Sequence, residues 1–147
     1  MGDCRHLDTD EQGRLIEHWD IIGEWVDETV SGHTQVDGPT EPTDLHKTEE
    51  NKAVVAGFVT EVLKYGEFDK VSDYISAKTY VQHNPQVGEG IAGLGAFVTS
   101  LGDQGLSVAY QEVYKVVGCG DFVAVLSQVD LAAATWPSST SSALTPA

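Results

Sequence analysis

Two runs of alternating residues, about 106–117 and 122–131, meet at Gly118-Cys-Gly-Asp121. Alternation with a period of two puts successive side chains on opposite faces. A Gly-rich junction between two such runs is a strong β-hairpin signal. The hairpin fixes an antiparallel ribbon late in the chain, and whatever precedes it must cover one of its faces.

The cover is written just upstream. Glu49 and Glu50 follow Thr48, which reads as an N-cap, and their charge suits a helix N-terminus. Val54, Val55, Phe58, Val59, Val62 and Leu63 then recur at helical spacing, and Gly66 ends the run. A second short helix is expected over 68–74, with Phe68, Val71, Tyr74 and Ile75 on one side. Residues 78–82 read as a short strand leading into His83-Asn84-Pro85. Gly88 and Gly90 form a loop, and Ile91, Leu94, Phe97, Val98 and Leu101 mark a third helix. Helices clustered ahead of an antiparallel sheet mean an α+β fold.

The first third is different. Asp8-Thr-Asp-Glu-Gln-Gly13 resembles a turn, and residues 14–22 alternate as a strand. On that strand Ile16, His18, Asp20 and Ile22 share one face. Residues 23–47 are rich in Asp, Glu, Thr, Gly and Pro and read as a linker. Past Leu131 periodicity stops, and residues 132–147 read as a disordered tail. The expected divisions are thus 1–22, 23–47, 48–131 and 132–147.

A formal charge of −15, from 23 acidic and 8 basic residues, argues against nucleic acid and anionic membranes. No apolar run approaches the ~20 residues needed to span a bilayer. The first residues lack the apolar core of a signal peptide. Cys4 and Cys119 have no metal spacing and read as free thiols, so a cytoplasmic location is expected.

The residues that can carry chemistry fall in two clusters, Glu17-His-Trp-Asp20 and Tyr80-Val-Gln-His-Asn-Pro85. A polar group among apolar strand residues costs free energy unless it is paired. His18 and Asp20, two residues apart on a strand, are neighbours. In an apolar pocket an Asp becomes a usable base near neutrality. His83 can abstract a proton next to a carbonyl, and Gln82 or Asn84 can donate to the enolate oxygen. Asn84 has an equally simple role, since Asn-Pro is a turn pair. Trp19, Tyr110 and Tyr114 lie on strands, where aromatic residues form core or wall a ligand. No His-x-x-x-His spacing supports a metal centre. His33 and His46 read as solvated.

Several stretches resemble the SnoaL-like polyketide cyclases of the NTF2-like, or cystatin-like, superfamily. They are Asn51-Lys-Ala-Val-Val55, residues 58–65 and 69–75, Tyr80-Val-Gln-His-Asn-Pro85, and Gly90-Ile-Ala-Gly-Leu-Gly-Ala-Phe97. Gly13-Arg-Leu-Ile-Glu-His-Trp-Asp-Ile-Ile22 is similar to the same family's last strand. Together they cover about three quarters of the chain. The pairing of Gln-His-Asn-Pro with Glu-His-Trp-Asp points to the subgroup described as predicted aldol-condensation enzymes.

The resemblance implies a cone, with the N-terminal helices packed on a curved antiparallel sheet. It implies cofactor-free acid/base chemistry alpha to a carbonyl on a small hydrophobic substrate, by aldol cyclisation or isomerisation. Catalytic roles fall to His18, Asp20 and His83, and substrate contacts to Gln82, Asn84, Trp19 and Tyr110. A homodimer, with or without a swapped strand, goes with it. A ligand-binding or dimerisation module without turnover, or an inactive repeat fragment, is the alternative. One departure stands out: the family's last strand comes first here. Either the chain holds pieces of two repeats, or residues 14–22 fill the vacant sheet position in cis or in a partner.

Overall fold

The N-terminal ribbon is built by its turn. Asp10 Oδ1 accepts the backbone N–H groups of Gln12 and Arg14 at 3.0 and 2.9 Å. Its other oxygen takes the Arg14 guanidinium at 2.7 Å, and Gly13 adopts φ +75°. These bonds reverse the chain in the manner of an Asx turn. β1 (Gly2–Thr9) and β2 (Leu15–Gly23) then pair antiparallel from Gly2 opposite Gly23 to Asp8 opposite Glu17. The computed structural model describes the backbone of residues 2–133 and the side chains of 7–19 and 23–133.

After a single 3₁₀ turn at Leu45–Lys47 comes α1 (Thr48–Gly57), which widens without a break into a π-helical stretch, Phe58–Lys64. Thr48 was expected to cap this helix and does not. It is already the first helical residue, and its hydroxyl donates to the Leu45 carbonyl and accepts the Gly120 N–H. A 3₁₀ turn, Phe68–Lys70, leads into the one-turn α2 (Val71–Tyr74). The ring of Tyr74 lies against Gly57, where an added Cβ would stand 3.0 Å from it. Lys70 ties the turn back to the helix through Glu67 at 2.7 Å and Glu61 at 2.9 Å.

The strand expected over 78–82 is absent. Side chains have taken the backbone groups that a neighbouring strand would need. The Gln82 N–H donates to the Glu89 carboxylate at 3.1 Å, and the Gln82 carbonyl accepts from the Ser31 hydroxyl. Ser76 accepts the N–H groups of Lys78 and Thr79. Residues 76–88 therefore run as an irregular segment into α3 (Gly90–Asp103).

β3 (Leu106–Cys119) and β4 (Phe122–Ala133) form the long hairpin, paired from Leu106 opposite Ala133 to Cys119 opposite Phe122. Its turn is clamped to the start of α1. Asp121 accepts the Thr43 N–H and hydroxyl, and Asn51 donates to the Gly120 carbonyl at 2.9 Å. Among the described residues the buried apolar ones are Val59, Val62, Ile75 and Val87, and they meet where the π-helical stretch packs on α2 and the segment before α3.

The class is α+β. The expectation that residues 14–22 fill the hairpin's sheet within one chain is corrected, because β2 bonds to β1 and the two ribbons remain separate two-stranded sheets. Closing the short turn at Asp10 costs far less chain entropy than pairing with a strand about a hundred residues away. The ribbons meet instead through Lys115 on β3. Its ammonium sits 4.1 Å from the Trp19 ring centroid and within 3.7 Å of the Asp8 and Glu17 carboxylates. The tail expected from 132 contributes Ala132 and Ala133 to β4, and its remainder lies outside the described residues.

Candidate functional site

Two features can hold chemistry, an apolar cleft and a cluster of ionisable side chains. The cleft, about 330 Å³, opens between the π-helical stretch, the Phe68 turn, α3 and β3. Leu63, Phe68, Phe97, Val98 and Leu101 line it on the helical side, and Leu106, Val108 and Tyr110 line it from β3. Phe97, Val98 and Leu101 arrive there by helical spacing along α3. Among the lining residues, only Ser107 and Tyr110 carry polar side-chain groups. Burial, with a smaller contribution from Tyr80, raises the Tyr110 phenol above its ordinary pKa, which keeps it a neutral donor.

Within the linker expected over 23–47, residues 24–37 assemble the ionisable cluster. They form no helix or strand, and yet they are docked. Thr29 is buried, and its hydroxyl and N–H both donate to the His33 carbonyl. Val30 donates its N–H to the Pro85 carbonyl at 3.2 Å. This brings His33, Asp37, His83 and Glu89 together. Asp37 Oδ2 lies 3.2 Å from His33 Nδ1, and Oδ1 lies 3.1 Å from His83 Nδ1. Glu89 Oε2 is 3.8 Å from His33 Nε2.

The hydrogen bond of His83 assigns its tautomer. His83 Nδ1 lies 2.8 Å from the Thr34 carbonyl, which can only accept, so Nδ1 carries a proton. In the neutral ring the lone pair is then on Nε2, the arrangement a general base requires. Asp37 is pushed up by loss of hydration. Hydrogen bonds from His33 and Thr34 and the attraction of both imidazoles outweigh that, and leave its carboxyl below the usual range.

The other candidates are distributed as follows. His18 is exposed on β2, at a surface groove with Leu7, Leu15 and Ile16. The apolar pocket face expected for it is not formed, because Ile16 on that face is 65% exposed. The Asp20 side chain lies outside the described residues. The partners of His83 come from 33–37, so the expected convergence of β2 on His83 is replaced by one from the preceding segment. His33, read as solvated, is part of that cluster. Trp19 is half-buried beneath Lys115.

Gln82 is buried, and its amide is spent locally, donating to the Tyr80 hydroxyl and accepting the Asn84 N–H. Asn84 accepts the Gln86 N–H at 2.9 Å, which is the turn role. Tyr110 alone of the four expected ligand contacts lines the cleft. Among the described residues, no group of three or more His, Cys, Asp or Glu side chains is arranged to hold a metal ion. No helix there is long and apolar enough to cross a membrane.

Sequence reasoning passed over Asp37. Its only signal was a histidine four residues earlier in a polar stretch. Comparison with known proteins finds no matching family model, no matching curated protein and no matching solved structure.

Proposed function

We propose that this chain is a small-ligand protein of NTF2-like type whose cleft takes a compact, mostly apolar molecule bearing one carbonyl. The cleft carries the reading: an apolar wall of helix and strand residues with the Tyr110 hydroxyl as a neutral donor. Apolar walls with few polar groups are the usual composition of small-molecule sites. A net charge of −15 disfavours anionic ligands. The test is displacement of a neutral fluorescent naphthylamine by cyclic ketones. Val98→Trp, which puts an indole at the cleft, should abolish probe binding. Unchanged binding in that variant removes the cleft from consideration.

A second reading, enzymatic, is favoured by the bond between His83 and Thr34. By the resemblance to SnoaL-like cyclases, the reaction would be proton removal next to a carbonyl. In that reading His83 Nε2 takes the proton and Asp37 holds the ring. Deuterium exchange at the α-carbon of a bound cyclic ketone, followed by NMR, separates the two readings. Binding without accelerated exchange leaves a binding module, and acceleration lost in His83→Asn supports catalysis. The resemblance also implies a dimer. The edges of β2 and β4 that meet no strand among the described residues would suit an exchange between two copies. Sedimentation of the full chain at several concentrations tests that.

A further inference from the structure

We propose that residues 24–37 are a strap whose hold on the 80–89 segment is set by protons, with one carboxylate, Asp37, clasped between the imidazoles of His33 and His83. The two rings stand 5.7 Å apart at an interplanar angle of 61°, each turning Nδ1 toward a different oxygen of that carboxylate. Glu89 is the other charged group in the cluster, facing His33 Nε2. The Thr34 carbonyl and hydroxyl are the neutral partners, the first toward His83 and the second toward Asp37. All four ionisable side chains are between 36% and 46% exposed, so protons and salt reach them.

Three states follow from the charges. With both rings neutral, the strap is held by hydrogen bonds alone, including Val30 N–H to Pro85 and Ser31 hydroxyl to Gln82. With both rings protonated and Asp37 ionised, three ion pairs are added, and two of them, His83 to Asp37 and His33 to Glu89, cross from the strap to the 80–89 segment. The two cations are then balanced by Asp37 and Glu89. In acid strong enough to protonate Asp37, whose carboxyl is held below the usual range, the two imidazolium rings face each other with no carboxylate left between them. The strap is therefore tightest in mildly acidic solution, looser above neutrality, and released in strong acid.

The clasp bears on more than the strap. An added Cβ at Gly93 would overlap the Gly88 carbonyl, so the 80–89 segment abuts the first turns of α3. α3 carries Phe97, Val98 and Leu101 to the cleft. A released strap removes support from the segment against which that wall begins.

Amide exchange of the full chain, divided by intrinsic rates, reads the clasp directly. The Val30 amide should be roughly two- to tenfold better protected at about pH 5.5 than at about pH 8, the range where histidines exchange protons. The Val62 amide, in the core, serves as the control for global stability. About 1 M salt should erase the difference at Val30, since exposed pairs are screened. The double variant His33→Asn, His83→Asn keeps an uncharged donor near each Nδ1 and should show no such difference. Equal Val30 protection at the two pH values overturns the proposal. So does a gain that survives salt, an arm that needs no variant to fold, or one that persists in the double variant.

Discussion

The carbonyl oxygen of Thr43 occupies the place of a side chain at Gly120, overlapping the position an ideal Cβ would take. Gly120 also has φ +61°, in the left-handed region that residues with a Cβ adopt at a cost. Gly120→Ala should therefore disrupt the clamp on the β3–β4 turn as well as strain the backbone. A loss of about 2–4 kcal/mol is expected by urea unfolding, the range for combined backbone strain and broken contacts. A loss under about 0.5 kcal/mol, the usual size for an unremarkable surface position, would mean the clamp does not hold the turn.

Asp121, the other side of that clamp, sets part of the acid limit of stability. The Thr43 N–H and then its hydroxyl hold its carboxyl below the ordinary range in the folded chain. A depressed folded pKa gives stability that is present above the unfolded value and lost as pH falls through the folded one. Asp10, held down by the Arg14 N–H and guanidinium, acts in the same direction. Stability should fall as pH drops below about 4, and Asp121→Asn should make that fall shallower. Identical acid limbs in the two proteins would contradict the assignment.

Tyr110 gives a signature at the other end of the scale. Burial raises its pKa, as burial raises that of Tyr74. A raised folded pKa contributes stability below the unfolded value, about 10, that is lost as pH climbs through the folded one. Absorbance titration should show two tyrosines ionising after the others, with one of them missing in Tyr110→Phe. That variant should also weaken binding of a cyclic ketone by about tenfold, the usual size of one neutral hydrogen bond, while the naphthylamine probe still binds.

Lys115 joins the two ribbons. Its ammonium over Trp19 is worth about 0.5–1 kcal/mol, and its exposed pairs with Asp8 and Glu17 add little. Lys115→Met should shift global stability by about 1 kcal/mol or less and yet raise amide exchange across β2. Unchanged exchange there would mean that the ribbon is held by other contacts.

How much of this could be read from residue order follows from the range of the interactions. The hairpin of β3 and β4 announced itself because alternation and a Gly-rich turn are local signals, and α3 and the helix from Thr48 did so by their spacing. β2 was legible as a strand, but its partner was not, since alternation says nothing about which edge is met. The strand expected over 78–82 failed because Ser31 and Glu89 supply its hydrogen bonds from outside the segment. The strap was missed for the same reason. Val30, Ser31 and Thr34 dock on residues some fifty positions later with no periodic pattern. Of the candidate site, His83 was seen and His18 was placed beside it, whereas Asp37 and His33 stand there instead.

The widened helical stretch from Phe58 to Lys64 carries a consequence for how this chain can tolerate change in length. Such a stretch behaves as a helix that has absorbed one surplus residue. Deleting a residue there would let ordinary helical bonding resume, at no cost in backbone partners. The turns on either side would keep their phase, since the widened stretch is what takes up the extra residue, so a one-residue deletion there should be tolerated better than one within α1. The irregularity thus acts as a spacer, matching the upstream half of the helix to the hairpin and the downstream half to the ligand wall.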